Sequence, residues 1–421
     1  MFGGCLNNTL TFHDGIMLIS EEEFQSKYGN LYKQQLKEIN DYMSDPGMLK
    51  AEVDLSAKNV DSFQLQGPVP DQYSYRMMLY RGFDKYPDRL RNYIIAQNEA
   101  KANIRSHIPT TVDIEPASRC NYRCIMCPVS ERDGGKRADD LTFDNFKNFM
   151  EKCIQVVEVK IQGMGEPLLN KRFIDMIQLA VERYVWVRTT VNGSLLHVRD
   201  KARRLIDSGV GEVQCSFDGA TKEIFEGIRR NSNFEQVVQN YTMLNSYANK
   251  MDRPYTRLWV LVQKHNRHQI LQFVELAKRM GFRRLTFTMS LGDWGEELWN
   301  ENNKALQPQN LSDDELEQLI EINTDGDIEV TLWGAANKCS CDSLESLCPM
   351  PFNRAFISSD FRISPCGNLG NPEVMDLGDA SDFKEAWNGP QYREFRQAHL
   401  NGNIPKCCQN CYKEYMVLQT A

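Results

Sequence analysis

Cys120, Cys124 and Cys127 sit on one short stretch, separated by three residues and then by two. Cysteine thiolates hold iron–sulfur clusters and zinc. Three of them on one loop would bind three irons of a [4Fe–4S] cluster and leave the fourth open, and an open metal position is what catalysis uses. The alternatives are zinc or buried free thiols. Structural zinc wants four ligands, and no fourth Cys or His lies nearby along the chain. A second set, Cys348, Cys366, Cys407, Cys408 and Cys411, crowds the last fifth of the sequence, where Cys408 and Cys411 make a Cys-x-x-Cys pair. A zinc ribbon is one reading of that spacing. Cys339 and Cys341 precede this set, and Cys5, Cys153 and Cys215 are scattered. Clustered thiols in a reducing compartment point to metal or catalysis rather than to disulfides.

These residues need a scaffold. From about residue 110, short apolar runs alternate with stretches of helical period. The pattern predicts strands over Thr111–Glu115, Val156–Gln162, Val185–Val191, Glu212–Phe217, Thr256–Gln263 and Arg284–Ser290. It predicts helices over Thr142–Val156, Lys171–Arg183, Val198–Ser208, Phe234–Asn249 and Arg267–Met280, with Gly209 and Gly281 just past helix ends. Strands alternating with helices at this spacing imply an α/β fold with a parallel sheet, here a partial (β/α)6 TIM-like barrel. The first cysteine group follows the first strand, at the end of such a barrel where active sites lie. Residues 1–105 read as a partly helical accessory region, 106–300 as the barrel, 301–345 as a linker with a helix near Ser312–Ile322, and 346–421 as a small domain that needs a metal staple.

The run Glu115-Pro116-Ala117-Ser118-Arg119-Cys120-Asn121-Tyr122-Arg123-Cys124-Ile125-Met126-Cys127-Pro128 resembles the signature of the radical S-adenosylmethionine (SAM) superfamily. The resemblance implies a cluster whose open iron is chelated by the methionine part of SAM, and SAM cleavage to a 5′-deoxyadenosyl radical that abstracts hydrogen. The residue before the third cysteine is often aromatic in that family and packs on adenine. Here it is Met126.

Other strand ends fit the same frame. Gly163-Met164-Gly165-Glu166-Pro167 resembles the family's Gly-Gly-Glu-Pro element, which binds the methionine amino group, with Met164 in place of a glycine. Asn192-Gly193 resembles the family's Asn-Gly. Strand alternation puts Ser216 and Asp218 on one face, able to bind ribose or methionine if that face is the cavity, and leaves Cys215 on the other as core. Arg229 or Arg230 is a candidate for the SAM carboxylate, and Gln263 and Ser290 are polar residues at the last two strand ends.

Cys348-Pro349-Met350-Pro351-Phe352, Ser364-Pro365-Cys366-Gly367, Leu377-Gly378-Asp379, Trp387-Asn388-Gly389-Pro390 and Arg393-Glu394-Phe395-Arg396 resemble the SPASM/twitch domain of radical SAM enzymes. The shorter twitch form, with one auxiliary [4Fe–4S] cluster, fits the cysteine count. It implies Cys348, Cys366, Cys408 and Cys411 as ligands, with Cys408 preferred to Cys407 because it completes the Cys-x-x-Cys pair. The same arrangement occurs in 2-deoxy-scyllo-inosamine dehydrogenase-type enzymes.

The expected function is radical chemistry on a small polar molecule such as a sugar, an aminocyclitol or an antibiotic precursor, ending in oxidation, epimerisation or dehydration. The alternative is maturation of a ribosomal peptide, by a crosslink or an epimerisation. Cys339 and Cys341 are either hydrogen donors or ordinary thiols. A reductant such as flavodoxin or ferredoxin is the implied partner. A formal net charge of -8 gives no broad basic field for nucleic acid or membrane. The first Lys or Arg is Lys27, so a secretory or transit peptide is not expected, and the cytoplasm is.

Overall fold

The computed structural model describes residues 19–58, 69–324, 326–333 and 339–412, together with a two-strand pair, Phe12–His13 and Ile16–Met17. Cys5 lies outside the described residues. No helix among them is long and apolar enough to cross a membrane.

Four helices open the described chain: α1 (Glu21–Ser44), α2 (Pro46–Lys58), α3 (Gln72–Lys85) and α4 (Pro87–Asn98). Ser20 and Asp71 cap α1 and α3 by accepting from the backbone N–H three residues on, at 3.1 Å each. The helices share a core of Ile39, Leu49, Met77, Phe83, Leu90 and Ile94. Tyr75 of α3 meets Trp186 edge-on at 5.4 Å between ring centroids. The buried Arg89 side chain donates to the Ile154, Arg183 and Tyr184 carbonyls. The accessory region therefore seals the N-terminal end of the barrel.

The sheet runs β1 (Thr111–Ile114), β2 (Glu158–Ile161), β3 (Trp186–Val191), β4 (Glu212–Ser216), β5 (Thr256–Leu261), β6 (Arg284–Thr288) and β7 (Glu329–Trp333), all parallel and in sequence order. Val159, Ile161, Val187, Val213, Leu258 and Phe287 are at most 1% exposed and join one apolar core with residues of the surrounding helices. Those helices are α5 (Phe143–Lys152), α6 (Phe173–Glu182), α7 (Lys201–Asp207), α8 (Lys222–Ile228), α9 (Phe234–Ala248) and α10 (Ile270–Arg279). Gly209 and Gly281 follow α7 and α10 at φ +81°, the left-handed turn that stops each helix where the pattern expects it.

The alternate residues face inward and are charged: Asp113, Glu158, Lys160, Arg188, Glu212, Arg257, Arg284 and Glu329. Glu158 pairs with Arg188, and Glu212 and Glu329 each pair with Arg257 and Arg284. Parallel strands usually bury apolar residues on both faces. Here the concave face stays polar because its carboxylates and guanidinium groups satisfy one another.

The segment expected as a linker, 301–345, differs from that expectation. After α11 (Glu297–Leu306) it carries α12 (Asp313–Thr324) and β7, so one more helix–strand unit extends the sheet. The sixth strand stops at Thr288, short of Ser290. On the opposite edge, β8 (Arg354–Ile357) pairs in parallel with β1, and β9 (Ile363–Ser364) pairs antiparallel with β8. Arg354 grips Asp113 through two bonds, at 2.6 and 2.9 Å. The C-terminal domain is thus sewn into the barrel edge, and Trp387 donates to the His107 carbonyl at 2.7 Å.

Candidate active site

The three-cysteine loop leaves β1 and is held from three sides. Cys124 pairs with Arg229 in a short antiparallel bridge that begins at the end of α8. Gly165 lies so close beneath the loop that a Cβ there would meet the Ala117 carbonyl oxygen at 2.2 Å and that of Arg119 at 2.4 Å. Only a residue without Cβ fits, because the obstacle is backbone. Gly165→Ala should cost about 2–3 kcal/mol and loosen the loop, read as a lower denaturant midpoint with reduced iron uptake. Gly163 is equally tight, against the Glu115 side chain at 2.3 Å.

Backbone N–H groups point at the sulfurs: Tyr122 toward Cys120 Sγ at 3.4 Å, and Val129 toward Cys127. The Asn192 side-chain amide reaches Cys120 Sγ at 3.9 Å. Such donors stabilise thiolates and tune cluster potentials. Burial, with the nearby Glu166 carboxylate, pushes the Cys120 thiol up to about 12, so the free thiol keeps its proton and bound metal must displace it. Tyr122, Met126, Ile228, Leu291 and Leu306 form an apolar patch around the loop that limits water. Met126 is buried in it, with a thioether where an aromatic ring is usual.

The strand-end residues fall into two groups. Glu166 is buried, and its two oxygens accept from Leu168 N at 3.1 Å and Asn192 N at 2.7 Å. Burial raises its carboxyl to about 7. Each oxygen keeps a lone pair for an ammonium donor. Gln263, two residues past β5, is fully buried with neither side-chain amide atom partnered among the described residues. Ser216 stands half-buried, and Met164 is buried beside the loop. Asp218 and Arg229 form an ion pair at 2.7 Å, both buried, while Asp218 Oδ2 and Arg229 Nε lack a hydrogen-bond partner among the described residues. Burial raises the Asp218 carboxyl, and Arg229 pulls it back. Asp218 also accepts from Leu261 N at 2.9 Å. The expectation stands that Arg229 meets the SAM carboxylate and Asp218 the ribose or methionine polar groups, and the contact between them places the two side chains together beside Cys124. Ser290 is exposed beyond the strand end, next to Leu291 of the apolar patch around the loop. Cys215 is core, fully buried.

The second cysteine set converges on one cavity, lined by Cys348, Cys366, Cys407, Cys408 and Cys411 with Pro351, Phe395 and Tyr412. N–H groups again point at sulfur, from Met350 toward Cys348 and from Asn368 and Leu369 toward Cys366. Cys408 is the more buried of the adjacent pair, while Cys407 also edges an outer groove. Cys339 shares a hydrogen bond with the Cys348 thiol, and its N–H bonds the Cys411 carbonyl at 3.0 Å, so it belongs to this set. Cys341 is exposed nearby. Among the described residues no three ligand side chains converge on a single ion, whereas a cubane spreads its ligands over separate irons.

A model of the radical SAM superfamily matches residues 114–255, and one of an iron–sulfur cluster-binding domain, SPASM, matches 348–412. The chain carries a radical SAM domain and, after it, a SPASM domain. Its cofactors are a [4Fe–4S] cluster, SAM and auxiliary iron–sulfur. Mycofactocin maturase MftC of Mycobacterium ulcerans is 24% identical to this radical SAM protein over 319 residues, spanning 71% of the chain and 80% of the relative. The PqqA peptide cyclase of Bradyrhizobium diazoefficiens is 25% identical over 218 residues, 51% of the chain and 54% of the relative. The fold matches Streptococcus suis SuiB, solved bound to its precursor peptide SuiA, with a TM-score of 0.54 at 16% identity, covering 85% of this chain and 79% of that one.

Proposed function

We propose that this radical SAM enzyme modifies a peptide. The carrying observation is the match to mycofactocin maturase, which runs across 71% of the chain and 80% of the relative. A second relative, the PqqA peptide cyclase, acts on a peptide. The sugar or aminocyclitol reading rests on the cysteine spacing of the C-terminal domain alone.

Cys120, Cys124 and Cys127 would hold the cluster with the open iron, and Cys348, Cys366, Cys408 and Cys411 the auxiliary one. When bound, the cluster and SAM together supply a 5′-deoxyadenosyl radical for C–H hydrogen abstraction. The chain's own residues do the rest. Gly163 and Gly165 bring the second strand-end loop under the first. Glu166 and Asn192 present acceptor and donor toward the Cys120 side, and Gln263 offers its unpartnered amide. Met126 and its apolar neighbours shield the loop from water, which protects a reactive radical from side reactions. The Asp218–Arg229 pair fixes the backbone at Cys124.

The reconstituted enzyme, given SAM and dithionite, should release 5′-deoxyadenosine and change the mass of a ribosomal precursor peptide. Release with aminocyclitols or sugars but with no such peptide would overturn the proposal.

A further inference from the structure

Lys160 is the one inward-facing charge of β2 without a salt-bridge partner among the described residues, with the Asp113 and Glu212 carboxylates acting on it only from a distance. Its neighbours are spoken for. Asp113 is gripped by Arg354, Glu158 by Arg188, and Glu212 and Glu329 by Arg257 and Arg284. The Lys160 ammonium donates to no described residue, and the ring of Trp259, 5.8 Å away, is its one aromatic contact. On the layers of the concave face formed by these residues, five cations (Lys160, Arg188, Arg257, Arg284, Arg354) face four carboxylates (Asp113, Glu158, Glu212, Glu329), a surplus of one positive charge.

This face is open. Val159 and Ile161, the outward neighbours of Lys160, are wholly buried, whereas Lys160 and Gln162 keep partial exposure. Trp259 stands edge-to-face with Trp333 at 5.4 Å, and Trp333 is 44% exposed. Lys160 also lies three residues before Gly163, so it sits in the barrel directly beneath the loop that supports the cysteines. A half-buried ammonium without a partner is costly, and an incoming anion relieves that cost. Burial, and then the nearby Arg188, lower its pKa to about 8, which still leaves it mostly cationic at neutral pH.

We infer that Lys160 anchors a carboxylate of the substrate inside the barrel, with Trp259 and Trp333 receiving the flanking apolar part. On the peptide reading, from which this extends, the carboxylate is an Asp or Glu side chain or the C-terminus of the inserted segment. A charge-assisted bond to a buried site is strong enough to give about 10- to 100-fold selectivity over the neutral isostere.

The test uses the reconstituted enzyme with SAM and three fluorescent peptide pools: internal Glu with an amidated C-terminus, internal Gln with an amidated C-terminus, and internal Gln with a free C-terminus. Glucuronate and glucose serve as competitors. Wild type should bind one carboxylate pool about 10- to 100-fold more tightly than the neutral pool, and which pool it prefers tells side chain from C-terminus. Lys160→Met should erase the preference without weakening the neutral pool, and Lys160→Arg should retain part of it. Iron content and cluster absorbance report whether each variant folds, and Lys160→Gln decides if Lys160→Met does not. A preference that survives in Lys160→Met, or no carboxylate preference in wild type, overturns the anchor. A Lys160-dependent preference for glucuronate with none for any peptide keeps the anchor and overturns the peptide reading.

Discussion

Cys124→Ala should abolish SAM cleavage while the protein still holds its auxiliary iron. Release of 5′-deoxyadenosine should fall on the order of a thousandfold or more, to background. The reason lies in the count of ligands. The loop offers three thiols for three irons, so removing any one leaves a cluster with two protein ligands, too few to hold it with one iron reserved for substrate. Cys124 is the sharpest choice because its backbone is tied to Arg229 in the bridge, so the side chain can go while the loop stays. The cavity of Cys348, Cys366, Cys408 and Cys411 is built by a different part of the chain. Iron analysis should therefore show one cluster's worth lost, not two. An equal loss in Cys366→Ala, with deoxyadenosine release retained, would complete the separation of the two sites.

Arg229→Met carries the largest expected cost in stability. Arg229 and Asp218 are paired at 2.7 Å with both groups buried. Removing one partner strands the other charge, which costs about 3–5 kcal/mol. The double variant Asp218→Asn with Arg229→Met should recover much of that, because it strands no charge. The pH dependence has a definite sign. Without the guanidinium, burial holds the Asp218 carboxyl above its unfolded value. The folded state then binds more protons than the unfolded state over that interval, so stability falls as pH rises through it. Arg229→Met should thus be most impaired at neutral and higher pH and partly relieved in acid, as read from denaturant midpoints. An Arg229→Met protein as stable as wild type at every pH would show that the pair does not position the loop.

Much of this site could be read before any coordinates. Cysteine spacing marked both metal sets, because ligand geometry constrains sequence tightly. The strand rhythm placed β1 to β6 to within a few residues, since outward Val, Ile, Leu and Phe alternate against the helices. Other features were not readable for physical reasons. Glu329–Trp333 is a short run in a polar region and becomes a strand only by pairing with β6. The edge partner of β1 comes from residues 354–357, far along the chain, and no local pattern announces it. The inward charges, Lys160 among them, look like a solvent face in sequence, because alternation with apolar residues is the same whether the polar side meets water or a barrel interior. Arg229 reads in sequence as a ligand for an anion, and its buried contact with Asp218 is not readable there, because the two lie on different elements. Gln263 is marked in the sequence by position alone, and the structure adds that both its side-chain amide atoms are buried without a partner among the described residues.

Anaerobic reconstitution with iron and sulfide, followed by SAM and a reductant, tests the central claim most directly. The account predicts about eight irons per chain, four for each of two clusters, and release of 5′-deoxyadenosine that depends on Cys120, Cys124 and Cys127. Uptake of zinc in place of iron and sulfide, with no 5′-deoxyadenosine formed, would contradict it.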